Sequence, residues 1–299
     1  MRLVTRADWD GLVCAVLLSS VERIEHIQFT TPKDIQDGRV FIPSQSVIAN
    51  LPYHPECAMW FDHHISEEAR GAHAGAEFKG RYGPALSAAR LIYEFYGHDA
   101  RLQKHLPLLE ATDRIDSAQL SLEDVLDPAG YVLLAYTMDP RSGLRGLDRE
   151  AYFLMLLDLL KTRPLDEILE LPEVKHLTER LRAEDQAFRQ ALLHHSRIEG
   201  NVIVTDFRGM EPPPGNRFLV YTLFPEANVA ARLSDEPDGQ TCSISVGHSI
   251  FNRTCRTNVG KLLAEYGGGG HTGVGGAIVP KAEAEAKFRE IVERLRAAG

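Results

Sequence analysis

Three groups of side chains in this 299-residue sequence are of the types that do hydrolytic chemistry together. Asp8 and Asp10 stand two apart in "RADWDG", Asp62, His63 and His64 are consecutive in "FDHH", and Asp113 and Asp116 close "ATDRID". Carboxylates with imidazoles form the ligand set of Mn²⁺, Mg²⁺ or Zn²⁺ in hydrolases, where the cation polarises a phosphoryl oxygen and acidifies water. Each group alone has an ordinary explanation. Asp8 and Asp10 suit a turn or a helix N-cap, Asp116 could cap or pair with Arg114, and His63 and His64 could finish a polar strand end. Their joint occurrence makes the ordinary explanation improbable.

The elements that must position them follow an alternating pattern. "RLVTRAD", "HIQFTTP", "GRVFIPS", "SVIANLP" and "AMWFDHH" read as strands, while "GLVCAVLLSSVE" and "GPALSAARLIYEFYG" have helical apolar spacing, the latter with Pro84 in its first turn and Gly97 at its end. Strands alternating with helices imply an α/β fold: a Rossmann-like parallel sheet with helices on both faces. Polar residues at strand carboxyl ends then face the ligand crevice, which is where Asp8, Asp10, Asn50 and the Asp-His-His triplet fall.

Residues 121–198 are mostly helical, ending in a long charged segment that reads as a connector. From "NVIVTDF" the pattern returns to strands ("FLVYTLF", "NVAARLS", "TCSISVG", "GGAIVP") with helices around "NVGKLLAEYG" and at the end of the chain. The expected organisation is therefore two domains: residues 1–190 including the helical connector, and a smaller α/β domain over 200–299.

A formal charge of −9 argues against a surface built for long duplex nucleic acid, and leaves room for a local basic groove or for small anions held by a few placed cations. The four cysteines have no C-x-x-C spacing and read as buried free thiols of a reducing compartment. No apolar run reaches membrane-spanning length and "MRLVT" starts as a strand, so a cytoplasmic protein with no membrane partner is expected.

In the second half, "AEYGGGGHTG" puts Gly267, Gly268, Gly269 and Gly270 directly after a helix and before His271. Such glycines permit positive φ, and their successive N–H groups can cradle an anion. "GHSIFNRT" adds His248, Ser249, Asn252 and Arg253. Arg253 is the first candidate for a bidentate phosphate clamp, ahead of Arg256, against the ordinary alternative of a surface ion pair. His54, His194 and His195 are assigned no chemistry.

"RADWDG", "FDHH" and "ATDRID", with "GGGGH" far downstream, resemble in order and context the DHH phosphoesterase superfamily with its C-terminal DHH-associated domain, across nearly the whole chain. That superfamily includes single-strand exonucleases, oligoribonucleases and cyclic-dinucleotide phosphodiesterases, and proteins of this length are often exopolyphosphatase-like. The resemblance implies a hydrolase whose first domain holds one or two Mn²⁺ ions and whose second grips the substrate. Position by position, it implies that Asp8, Asp10, His63 and Asp113 bind metal, with Asp116 ranked behind Asp113. It also implies that His64 supports a ligand or acts in catalysis, that Asp62 orients it, and that the glycines with His271 meet substrate phosphate.

Two departures stand out. Arg6 occupies a position where family members usually carry His or Asp, and Asn50 matches a bridging Asp. A guanidinium cannot ligate a cation and stays charged, so Arg6 is expected to pair with Asp8 and fill the first metal's place. The expected cofactor is Mn²⁺ (or Mg²⁺), one ion rather than two, held by Asp10, His63 and Asp113, with Arg6 counted beside His64 and Asp62 in the catalytic set. The leading expectation is a metal-assisted phosphoesterase acting on a small phosphorylated substrate such as a short single-stranded oligonucleotide, a dinucleotide or polyphosphate. A homodimer is compatible with it. The alternative is a weak or inactive relative that binds a nucleotide without cleaving it. Arg6 and Asn50 favour that alternative; the retained Asp10, His63, His64, Asp113 and His271 favour the enzyme.

Overall fold

The structure, a computed structural model, describes residues 1–64, 67, 70–97, 99–139 and 146–298. In chain order the N-terminal elements are β1 (Arg2–Thr5), α1 (Trp9–Val21), β2 (His26–Phe29), α2 (Pro32–Gln36), β3 (Ser46–Ala49), β4 (Met59–Asp62), β5 (Lys79–Tyr82), α3 (Ala88–Phe95), α4 (Ala100–Gln103) and α5 (Leu106–Asp116). A helical stretch follows: α6 (Leu122–Leu126), α7 (Gly130–Tyr136), α8 (Arg149–Thr162), α9 (Leu165–Leu169) and α10 (Pro172–His195). The remainder is β6 (Ser196–Glu199), β7 (Val202–Asp206), α11 (Leu219–Leu223), β8 (Val229–Asp235), β9 (Thr241–His248), α12 (Val259–Ala264), β10 (Gly269–Gly270), β11 (Val274–Pro280) and α13 (Lys281–Ala297).

The first five strands make one parallel sheet in the order β2-β1-β3-β4-β5. The chain moves outward from β1 to β2 and then returns to β3 on the other side of β1, which puts a topological switch point between β1 and β3. The central strands are short apolar runs, fully buried in β3 and β4, as a sheet covered on both faces requires. Helix α1 is buried from Trp9 through Leu18 and packs against α3, α5 and α8, so it is a core helix without a solvent face in its first three turns.

The second sheet is mixed, in the order β10-β11-β9-β8-β7-β6. Alternate residues of β7, β8, β9 and β11 face an apolar core that includes Val204, Ala231, Leu233, Ile244, Val246 and Val279, closed by Phe288, Ile291 and Leu295 of α13. The fold is α/β with two sheets, and the chain divides into two compact units. One contains Met1–Gln119 and the other Glu179–Gly299 together with Leu120–Pro128, so the division falls inside α10 rather than between residues 190 and 200.

Two stretches expected to be strands are not. "GRVFIPS" lies outside the regular elements: Pro43 offers no N–H to a ladder, and Ile42 instead packs on a face of the sheet with Val4, Ile48 and Trp60 of its central strands. "FLVYTLF" forms α11, its preceding turn set by the Asn216 side chain accepting from Phe218 N at 3.0 Å. Helix α3 begins at Ala88 with Ser87 as its N-cap, so Pro84 precedes the helix instead of opening it. Of the four free cysteines, Cys14 and Cys242 are buried and Cys57 and Cys255 are only half-buried. Among the described residues no helix is long and apolar enough to cross a membrane.

Candidate active site

The parallel sheet delivers Asp8 and Asp10 after β1, Asn50 after β3, and His63 and His64 after β4 to a single edge, because all its strands end on the same side. Asp8 is the N-cap of α1 and accepts from Gly11 N at 3.0 Å. Only glycine fits at position 11: a Cβ there would lie 2.3 Å from the Arg6 carbonyl oxygen and 2.8 Å from Thr5 Oγ1. The tight turn thereby sends Asp10 inward.

Asp10 is buried, and its two carboxylate oxygens accept from Ala88 N at 2.9 Å and Ala89 N at 3.0 Å at the start of α3, the positive end of that helix. Its Oδ2 lies 3.8 Å from His63 Nε2, which lies 3.1 Å from Asp116 Oδ2. One ligand atom from each of Asp10, His63 and Asp116 falls within 4.8 Å of the others. His63 Nδ1 lies 3.2 Å from the Ala85 carbonyl oxygen, which fixes the ring with Nε2 toward the carboxylates. That Nε2 is buried, and among the described residues no hydrogen bond of acceptable geometry reaches it. An orphaned imidazole nitrogen aimed between two carboxylates fits a divalent cation.

Protonation reflects the crowding of charge. Burial and the nearby Asp116 raise the Asp10 carboxyl above its ordinary value, against the opposing effect of His63 and the two helix amides. For His63 burial works downward, but Asp116 and Asp10 outweigh it and the ring's pKa is raised. A cation entering this site displaces protons.

Asp116, ranked behind Asp113 from sequence, is the acid in this group. Asp113 is engaged elsewhere: it accepts from Ser87 Oγ at 2.7 Å and from Arg90 through Nε at 2.8 Å and through Nη2. The two acids are three apart on α5, whose rotation is set by Thr112 holding Trp9 Nε1 at 3.0 Å. Neither Ser87 nor Arg90 was identified from the sequence. Ser87 carried a signal as a hydrogen-bonding residue directly before the apolar-periodic "AARLIYEF"; Arg90 carried none.

Asp8 is not in the group. Its Oδ1 accepts from Asn50 Nδ2 at 3.0 Å as well as from Gly11, and its Oδ2 lies 3.0 Å from Arg6 Nε, the pairing expected from the motif. Asn50 adopts φ 58°, a left-handed conformation that asparagine tolerates better than most residues. Asp62 is fully buried, and its Oδ1 lies 2.7 Å from His64 Nδ1. This leaves Nε2 as the working nitrogen of a half-buried ring. Burial would lower the His64 pKa, but the Asp62 contact wins and raises it.

The C-terminal candidates are differently placed from the expected loop. The N–H groups of Gly267 and Gly268 close the end of α12 on Ala264 O (3.1 Å) and Leu263 O (2.9 Å), and Gly269 and Gly270 pair with β11. Their N–H groups therefore do not line up as an anion cradle. Gly268 and Gly270 serve close approach, since a Cβ would meet Gly276 O at 2.2 Å on the first and Val274 O at 2.2 Å on the second, and Gly267 takes a φ of 80° just after the helix. His271 has an exposed side chain, its N–H donating to Val274 O at 2.7 Å. Asn252 Nδ2 donates to Glu226 O at 3.0 Å, which ties it to the segment before β8, and Arg253 Nε donates to Ile250 O at 2.9 Å within its own loop.

The chain is 36% identical to a pGpG-specific phosphodiesterase, PggH from Vibrio cholerae, covering 100% of this chain and 99% of that one with a TM-score of 0.89. An exopolyphosphatase-related protein from Bacteroides fragilis shares the fold at 13% identity, over 99% of this chain and 92% of that one, with a TM-score of 0.58. RecJ from Thermus thermophilus, determined with Mn²⁺, does so at 16% identity, over 99% of this chain and 52% of that one, with a TM-score of 0.54. No protein-family profile and no curated protein matches the sequence. A full-length likeness at 36% identity, with the acid and histidine motifs on the same sheet edge, establishes the kinship: the chain belongs to the DHH phosphoesterase superfamily and is a hydrolase.

Proposed function

We propose that this protein is a phosphodiesterase that uses one divalent cation, Mn²⁺ or Mg²⁺, to hydrolyse a short 5′-phosphorylated nucleotide, with pGpG as the first candidate substrate. The observation that carries the chemistry is the buried, orphaned Nε2 of His63 between Asp10 and Asp116. The full-length likeness to a pGpG-specific phosphodiesterase supports the substrate. When bound, a divalent cation supplies Lewis-acid polarisation of the phosphoryl group and lowers the pKa of water.

The chain's own residues do the rest. Asp10, His63 and Asp116 would hold the ion. Asp62 keeps His64 in the tautomer with the proton on Nδ1, so that Nε2 takes or returns a proton at the substrate. Both oxygens of Asp8 are already occupied by Arg6, Asn50 and the α1 amide, which supports a count of one ion. The Arg6 guanidinium adds a fixed positive charge that survives at any working pH.

Purified protein is expected to release GMP from pGpG with Mn²⁺, faster than it cleaves pApA or polyphosphate, and to lose the activity in EDTA. His64→Ala is expected to lower kcat by about 10²-fold or more. Metal analysis is expected to return one ion per chain. Activity that persists in EDTA and ignores His64→Ala refutes this reading, and two tightly held ions per chain refute the single-ion part of it.

A further inference from the structure

The second sheet has two faces of different character. One meets α13 and is apolar; the other carries Ala230, Arg232 and Ser234 of β8 and Ser243, Ser245 and Gly247 of β9. Arg232 sits in the middle of β8, paired in register with Thr205 of β7 and Ser245 of β9, so all three side chains share this face. The Thr205 hydroxyl is spent on Ser196 Oγ at 2.8 Å. Ser245 makes no side-chain hydrogen bond among the described residues, and Tyr221 donates its hydroxyl to Gly247 O at 3.0 Å.

Arg232 is half-buried, and among the described residues no hydrogen bond or ion pair reaches its guanidinium. Elsewhere in this unit Arg197, Arg208, Lys281, Lys287, Arg289 and Arg294 each hold a carboxylate at 2.5–2.9 Å, and the cations without an ion pair among the described residues, Arg182, Arg189, Arg217, Arg256 and Lys261, are exposed to water as Arg232 is not. Burial lowers its pKa, the mark of a cation that has lost water and gained no partner. A desolvated, unpaired charge costs stability, and such costs persist where a site requires them.

We propose that this face of the second sheet is a phosphate-binding site, with the Arg232 fork as the principal contact and the Ser245 hydroxyl beside it. The planar guanidinium presents paired donors that match a phosphate, and a hydroxyl adds a third. Gly276 of β11, in register with Ser245, puts no side chain on the floor beside that hydroxyl, while the Tyr221 ring closes the site over Gly247. The occupant is either inorganic phosphate or the phosphate of a nucleoside monophosphate. The inference does not rest on which nucleotide the enzyme cleaves.

The test is thermal unfolding of the full chain in EDTA, with inorganic phosphate, GMP or sodium acetate added at matched ionic strength. For the wild type, Tm is expected to rise with phosphate or GMP and not with acetate. Arg232→Met is expected to raise Tm in phosphate-free buffer, because it removes the unpaired charge, and to weaken phosphate affinity at least tenfold. Arg232→Lys should retain part of the response, since it keeps the charge and loses the fork. A larger rise with GMP, abolished in Arg232→Met, assigns the site to a phosphomonoester; a larger rise with inorganic phosphate, also abolished, assigns it to the free ion. If Arg232→Met lowers Tm and the phosphate response persists, or if acetate acts as strongly as phosphate, the proposal is overturned. Should Arg232→Met fail to fold, Ser245→Ala replaces it: several-fold weaker phosphate binding supports the site, and unchanged binding overturns it.

Discussion

Asp113 and Asp116 differ by less than one helical turn, yet their surroundings give them different work. Asp113 is saturated by Ser87 and the Arg90 fork, whereas Asp116 faces the orphaned nitrogen of His63. Asp116→Asn is therefore expected to weaken Mn²⁺ binding by roughly 100-fold with little change in stability of the metal-free chain. Asp113→Asn should leave Mn²⁺ binding close to wild type and destabilise the fold by on the order of 3 kcal/mol, because the Arg90 guanidinium loses its counter-charge. Calorimetric Mn²⁺ titration and urea unfolding of the two variants separate these outcomes, and equal effects on both readouts would reject the division of labour. Nothing in "ATDRID" orders the two acids, since three-residue spacing puts both near one helix face.

At the scale of elements, the site depends on how helices begin. Helix α1 starts on Asp8, and α3 starts on Ser87 while offering its next two N–H groups to Asp10. Helix α5 starts at His105, which is buried against Ser20 Oγ at 3.2 Å and has its pKa pushed down to about 4 by burial and by the neighbouring Lys104. Its unfolded value is near 6.5, so between pH 6.5 and 4 the unfolded chain binds the extra proton. Stability from this group is complete above pH 6.5 and is lost as pH falls toward 4. His105→Gln is expected to remove that part of the acid slope in urea-unfolding curves measured from pH 4 to 7; an unchanged slope would show that His105 does not set it. The elements that misled, "GRVFIPS" and "FLVYTLF", are short apolar runs whose period fits strand and helix alike. Ile42 found a place on the face of the sheet without ladder bonds, and α11 was decided by one Asn216 turn.

For the molecule as a whole, each sheet has apolar clusters of its own, and the candidate metal ligands Asp10, His63 and Asp116 lie in the N-terminal unit. Mn²⁺ is expected to slow amide exchange in α1, α3 and α5, whose packing carries Asp10 and Asp116, and to leave β8 and β9 unchanged. Hydrogen-exchange mass spectrometry with Mn²⁺ or EDTA reads this directly, and uniform protection across both sheets would contradict it. The sequence by itself determined the α/β class, the parallel first sheet, and the arrival of Asp10, His63 and His64 at one strand edge. Apolar periodicity and the rule that parallel strands end together are local and topological properties that the order of residues carries. Only the tertiary structure decided that Asp116 rather than Asp113 completes the acidic group, that the four glycines close a helix and start a strand instead of forming a cradle, and that Arg232 stands without a partner among the described residues. Those outcomes depend on which side chain another element places opposite, a matter of helix rotation and strand register that spacing along one chain leaves open.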